Sequence, residues 1–244
     1  HGVFRRQRQM CIRDRLNPKS FKFKKVNSIP LGLIGGMQFD KDNKRLGLTI
    51  NTHQTPSDTY VLDLKINVLS HGKLERWTYS EVGGLDTSKF IKPELVKYPS
   101  FDGREIPAFV YAKESATPQP VIISIHGGPE SQSRPRFSST FQLWINELNA
   151  AVIAPNVRGS DGYGKEYLSL DNGYKREDSV KDIGALLDWI ATQPHLDENR
   201  VIVYGGSYGG YMVLASAVHY SDRLKGAVDI VGISNFVTFL KNTK

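Results

Sequence analysis

The chain has 244 residues, with 32 Lys and Arg against 25 Asp and Glu, a formal charge of +7. Nine of those basic residues and a single acid fall within residues 1–25, so the excess belongs to one short stretch and no nucleic-acid partner is expected, because such a partner calls for basic charge spread over a folded face. At 39% hydrophobic and 23% charged the chain can bury a core, no apolar run approaches the ~20 residues that span a bilayer, so no membrane partner is expected, and the lone cysteine, Cys11, excludes an intrachain disulfide.

Residues 1–20 stand apart. His1–Asn17 is rich in Arg and Gln and shows neither helical nor strand periodicity, and Gln7–Arg15 resembles a translated linker. This stretch reads as a non-native or disordered basic leader, with the true N-terminus lying elsewhere. A cytoplasmic location is the default expectation, and export stays open.

Residues 21–92 read as β-structure. Arg45–Asn51 and Thr59–Leu64 mix β-branched and apolar residues with polar ones, the turn residues Gln54–Asp58 separate them, and Ser70-His71-Gly72 precedes Leu74–Thr78. Strands at this spacing make a meander of about one propeller blade. One blade does not bury its own faces, so 21–92 is expected to be the last part of a β-propeller.

From residue 93 the pattern changes. Leu95–Tyr98 and Ile106–Tyr111 flank the turn Phe101–Arg104, which predicts a hairpin. Strands and helices then alternate: strand Val121–Ile125, helix Thr140–Leu148, strand Ala151–Pro155, helix Arg176–Gln193, strand Val201–Tyr204, helix Tyr208–His219, strand Gly226–Val231. The helix Arg176–Gln193 carries Val180, Ile183, Leu187 and Ile190 at helical spacing. Short continuous apolar strands between amphipathic helices imply an α/β fold with a parallel sheet covered on both faces.

Gly205-Gly206-Ser207-Tyr208-Gly209-Gly210 follows a strand and opens a helix. In that context G-x-S-x-G becomes a nucleophile elbow. The chain must reverse within a few residues, which strains the serine backbone and leaves no room for side chains at 205 and 209. Ser207 Oγ then stands above the sheet beside the N–H groups of a helix start. The plain alternative is a flexible glycine loop. His126-Gly127-Gly128-Pro129 directly follows the strand Val121–Ile125. A loop there donates a second N–H to an oxyanion, and its glycines allow close approach. Asn156–Gly164 is glycine-rich but lacks the Lys-Ser/Thr of a P-loop and the spacing of a dinucleotide fingerprint, so it reads as a supporting loop. Its Arg158 is expected to pair with Glu177 or Asp178. No metal or cofactor motif is present in the sequence.

These three runs, in this order and spacing, resemble the prolyl oligopeptidase family of serine peptidases (S9), most of all its acylaminoacyl-peptidase and dipeptidyl-peptidase-like members. Pro93–Val96 through Phe101–Arg104 matches the start of that family's catalytic domain. The resemblance is weak before residue 90 and strong after 120. It implies a β-propeller followed by an α/β-hydrolase domain, here 93–244, acting on short peptides. It implies Ser207 as nucleophile, the backbone N–H groups of Tyr208 and Gly128 as the oxyanion hole, and the Tyr208 side chain beside the S1 pocket. Gly205, Gly209, His126, Gly127 and Arg158 then support the elbow and the loop.

A triad of this fold runs Ser, Asp, His in chain order, and 37 residues follow Ser207. His126 lies upstream, His195 precedes the nucleophile strand, and His219 is ~18 Å along the nucleophile helix at 1.5 Å per residue. Asp222 lies beyond the same helix end, and Asp229 falls inside the following strand. The sequence therefore reads as an incomplete α/β-hydrolase, its C-terminal strands and its triad Asp and His beyond residue 244, inactive as it stands. An esterase or lipase-like hydrolase and a non-catalytic binding module of the same fold are the alternatives.

Overall fold

The computed structural model describes residues 14–64 and 70–242. Residues 1–13, with Cys11 and most of the expected leader, lie outside the described residues. The chain divides into two units, His1–Lys92 with Arg134–Ser138, and Pro93–Ser133 with Ser139–Lys244.

In the first unit, β1 (Asp14–Leu16) pairs antiparallel with β2 (Phe23–Lys25). The expectation of no strand before Asn17 fails at these three residues, a run too short to show a period. Arg15 is buried and donates to the Ser70 carbonyl. Four strands follow as an antiparallel meander: β3 (Leu33–Phe39), β4 (Arg45–Asn51), β5 (Asp58–Leu64) and β6 (His71–Arg76). The period-2 alternation of β4 turns Leu46, Leu48 and Ile50 inward, where they pack with Val26, Ile29 and Leu62. β3 escaped the sequence reading. Its pairing with β4 shifts register between Ile34 and Met37, across Gly35-Gly36, which breaks the alternation. β5 begins one residue early, at Asp58, whose buried carboxylate accepts from Arg76 (2.6 Å), the Thr78 hydroxyl (2.9 Å) and Ser80 N–H (2.9 Å).

The second unit opens on the expected hairpin, β7 (Glu94–Pro99) and β8 (Glu105–Tyr111). Then come β9 (Gln119–Ile125), α1 (Ser139–Glu147), β10 (Ala151–Pro155), α2 (Lys165–Leu168), α3 (Asp178–Ala191), β11 (Leu196–Gly206), α4 (Tyr208–His219), β12 (Gly226–Ile230) and α5 (Phe236–Asn242). The six strands form one sheet in the order β12-β11-β9-β10-β8-β7. β9 to β12 run parallel, and the β7–β8 hairpin joins β10 antiparallel at one edge.

β10 is buried at every residue, as a strand covered on both faces must be. The stripe Val180, Ile183, Leu187 and Ile190 on α3 is buried against the sheet as its spacing requires. Gly173–Lys175 forms a 3-10 turn ahead of α3, so the helix starts two residues later than its hydrophobic period implied. Helix α2, a single turn, is too short to carry a period. Among the described residues no helix is long and apolar enough to cross a membrane.

One register positions the site. Val121, Ile123 and Ile125 of β9 pair in parallel with Val201, Val203 and Gly205 of β11. Two adjacent parallel strands therefore end at the same level, and the loops that leave them emerge side by side.

Candidate active site

β11 runs into α4 through a single residue. Ser207 has φ 57° and ψ −119°, a conformation that costs a residue with a Cβ of order 1–3 kcal/mol. Its N–H donates to the Ile230 carbonyl at 3.0 Å, and its own carbonyl accepts from Tyr211 N–H at 3.1 Å. The turn is thus fixed from β12 on one side and from α4 on the other. Ser207 is exposed, whereas Gly205 before it and Tyr208 and Gly209 after it are buried. Among the described residues its hydroxyl has no hydrogen-bond partner, and Tyr208, at the first position of α4, has a backbone N–H with no intrahelical acceptor.

The reversal is tight enough to exclude side chains. A Cβ on Gly205 would stand 2.5 Å from the Gly209 carbonyl oxygen, and one on Gly209 would stand 2.3 Å from that of Ile125. Position 209 is thus constrained by the end of β9 rather than by position 205. A Cβ at Gly206 would meet nothing closer than 3.5 Å.

The His126–Pro129 loop lies against this elbow. A Cβ on Gly127 would stand 3.2 Å from the Gly206 carbonyl oxygen and 3.5 Å from the Ser207 Cβ. Gly128 takes φ 135°, and the Gly128–Pro129 peptide is cis. Around it the loop is tied by Ser131 N–H to the Pro129 carbonyl (2.7 Å) and by Ser133 N–H to the Asn156 side-chain oxygen (2.6 Å). The His126 ring sits between two polar neighbours, with Nδ1 2.7 Å from the Gly127 carbonyl oxygen and Nε2 2.8 Å from Ser160 Oγ. Burial pushes this imidazole below its ordinary pKa.

Arg158 is buried and paired, but not with Glu177 or Asp178. Its guanidinium donates to Asp182 (2.8 Å) on α3 and to Asp102 (3.1 Å) in the β7–β8 turn. Asp182 is fully buried and also accepts the Ser100 hydroxyl at 2.6 Å. Burial alone would lower the Arg158 pKa, but its hydrogen bonds to Asp182 and Asp102 outweigh burial and raise it, while burial pushes the Asp182 carboxyl up. Asp178 instead faces Lys181 at 2.8 Å near the surface, and Glu177 lies 3.9 Å from His219. Depth separates these acids: Asp182 falls among the inward residues Val180 and Ile183, where an ion pair is retained.

The Tyr208 side chain, expected beside a substrate pocket, turns inward and is buried. Its hydroxyl donates to Asp171 Oδ2 (3.1 Å) and lies 3.0 Å from the Ser179 hydroxyl. Arg176 also donates to Asp171 and sits 5.2 Å over the Tyr208 ring. Burial pushes the Asp171 carboxyl up. Its Oδ1 is buried without a hydrogen-bond partner among the described residues, against Gly159, where φ is +90° and a Cβ would overlap the carboxyl. Asp171, Ser179 and Arg176 were missed in the sequence, since an Asp-Asn-Gly stretch reads as an ordinary turn. Among the described residues no group of three or more His, Cys, Asp or Glu side chains could hold a metal ion.

Residues 135–244, which carry the elbow and α3, match the family model described as Prolyl oligopeptidase family. Over this stretch the chain is similar to the prolyl oligopeptidase family. The chain is 34% identical over 151 residues to the uncharacterized peptidase YuxL of Bacillus subtilis, covering 60% of this chain and 23% of that protein. It is 26% identical over 213 residues to dipeptidyl aminopeptidase BIII of Pseudoxanthomonas mexicana, covering 79% of this chain and 30% of that one. Among solved structures, a puromycin-hydrolyzing peptidase of Mycobacterium tuberculosis superposes with a TM-score of 0.78 at 20% identity, over 95% of this chain and 36% of its own. An acylaminoacyl peptidase of Pyrococcus horikoshii gives a TM-score of 0.72 at 24% identity, over 92% and 34%. At such identities the likeness speaks for the fold: an α/β-hydrolase sheet preceded in the chain by β-propeller strands. The prolyl oligopeptidase family comprises serine peptidases, whose substrates are peptides.

Proposed function

We propose that this chain carries the nucleophile and the oxyanion hole of a serine peptidase that cleaves short peptides by acyl transfer. The observation that carries the reading is Ser207: exposed, strained at the strand-to-helix turn, and set beside the His126–Pro129 loop. In this reading Ser207 Oγ attacks the peptide carbonyl and gives its proton to a base. The N–H groups of Tyr208 and Gly128 take the charge of the tetrahedral oxygen. The amine leaves with a proton, and water hydrolyses the acyl-enzyme. Gly205 and Gly209 let the turn close, Gly127 lets the loop approach it, and Arg158, through Asp182 and Asp102, ties the loop after β10 to α3 and the β7–β8 turn.

No histidine described in the second unit is placed to be the base. The His126 ring is engaged by Gly127 and Ser160, His195 adjoins the opposite end of β11, and His219 closes the far end of α4. These 244 residues alone are therefore expected to turn over peptide substrates negligibly, because Ser207 is then a neutral alcohol without a positioned base. The test is a chromogenic dipeptide or acyl-peptide substrate offered to the purified chain. Turnover that vanishes in Ser207→Ala would overturn the expected inactivity. In a longer reading frame that supplies an acid and a histidine, Ser207→Ala is expected to abolish both turnover and labelling by a fluorophosphonate. Labelling that persists in the variant removes Ser207 as nucleophile, and cleavage of short acyl esters without peptides makes the enzyme an esterase.

A further inference from the structure

Three groups around His126 constrain where its protons sit. Nδ1 lies 2.7 Å from the Gly127 carbonyl oxygen, and a carbonyl only accepts, so Nδ1 carries the hydrogen. If the ring is neutral, Nε2 is then bare and needs a donor. The Ser160 hydroxyl, 2.8 Å away, is the group in reach. Ser160 Oγ also lies 2.6 Å from the Val157 carbonyl, but a hydroxyl has one proton to give. A carbonyl accepts two hydrogen bonds, so this one takes Ser160 N–H at 3.1 Å and shares the hydroxyl proton with the bare Nε2. The opposite arrangement, with the hydrogen on Nε2, sets the Nδ1 lone pair against the carbonyl lone pairs at 2.7 Å. A doubly protonated ring would place a charge against a hydroxyl and a carbonyl with no carboxylate at either nitrogen, and burial opposes it.

The atom that Nδ1 holds has a second significance. The Gly127 C=O and the Gly128 N–H are the two ends of one peptide group. That peptide is trans, the cis bond being the next one along, so its N–H points opposite to its C=O. A clamp on the oxygen therefore fixes the direction of the N–H. A proton given to the oxygen also polarises the group and strengthens the donor at its other end. Ser160 is itself buried, which fixes the far end of the chain Ser160 O–H, Nε2, Nδ1–H, Gly127 C=O.

We propose that His126 is a positioning residue, held as the neutral Nδ1–H tautomer between Ser160 and Gly127, whose ring orients the Gly127–Gly128 peptide and so aims the Gly128 N–H as an oxyanion donor. The tautomer stands on the contacts at the two ring nitrogens together with the burial of the ring. Its use rests on the reading of Gly128 given under Proposed function.

The test reads the ring nitrogens directly. In the 15N-labelled chain at neutral pH, two-bond proton–nitrogen correlations, assigned to His126 by their loss in His126→Asn, are expected to show the proton on Nδ1. A proton on Nε2, or on both nitrogens, overturns the proposal. The same measurement in Ser207→Ala is expected to give an unchanged pattern, so a wrong tautomer is distinguishable from a wrong nucleophile. Positioning is read at the Gly128 amide. His126→Asn keeps an N–H donor where Nδ1 stood and is expected to leave the Gly128 amide resonance near its wild-type place, whereas His126→Gln, with its donor one bond further out, is expected to move it. If the two variants give the same Gly128 resonance, the ring does not set that peptide.

Discussion

Asp182 accepts from Arg158 twice over, from the backbone N–H at 2.9 Å and from the guanidinium at 2.8 Å. One carboxylate on α3 therefore both closes the loop after β10 and neutralises the charge that the loop buries. Removing one member of such a pair strands the other in the interior. Asp182→Asn is expected to destabilise the second unit by about 3–5 kcal/mol. Asp178→Asn, which breaks only the exposed pair with Lys181, should stay within about 0.5 kcal/mol. Urea denaturation of the two variants measures this, and equal midpoints would refute it.

The glycines of the elbow are expected to differ sharply in tolerance. Gly205→Ala drives a methyl into the Gly209 backbone, and backbone cannot step aside as a flexible side chain can. A loss of at least about 1–3 kcal/mol is expected. Gly206→Ala meets only ordinary contacts, the nearest at 3.5 Å, and should fold with nearly wild-type stability. Comparable losses in thermal unfolding would show that the turn is not as tight as described.

Ser207 sits in a backbone region that glycine enters freely. Ser207→Gly releases strain of about 1–3 kcal/mol, partly offset by the greater freedom of glycine in the unfolded chain. Ser207→Ala removes the hydroxyl and keeps the strain. The glycine variant is expected to be the more stable of the two by chemical denaturation, and the reverse order would mean that the turn is relaxed.

The depressed pKa of His126 gives a sign for pH dependence. As pH falls through about 6.5, the unfolded chain takes up a proton that the folded site resists, so the unfolded state binds more protons and stability drops. In His126→Asn this contribution disappears. Stability curves measured from neutral to mildly acidic pH should therefore diverge, with the wild type losing more. Curves that stay parallel would remove burial as the controlling influence on this ring.

Much of the second unit was legible because its strands are short apolar runs and its helices carry a clear stripe. Ala151–Pro155 and Tyr208–His219 appear with the predicted bounds, and the strain at Ser207 follows from a strand, a glycine pair and a helix start in immediate succession. What stayed hidden depends on contacts distant in sequence. Asp182 looks no more buried than Asp178 until the β7–β8 turn is folded over it. Asp171 lies in a stretch that reads as a turn, and nothing local says that its carboxylate will meet Tyr208. Strand β3 was masked by a bulge at two glycines, and β1 by its brevity.

The pairing of Ile125 with Gly205 implies a division of labour between backbone and side chains. The spacing between the histidine loop and the serine turn is set by the rungs of two neighbouring strands, whose pitch every amino acid shares. Core residues are then free to drift so long as the ladder stays in step. A gap between the two halves of the site would arise only from a slip of whole strands, which no single apolar exchange produces.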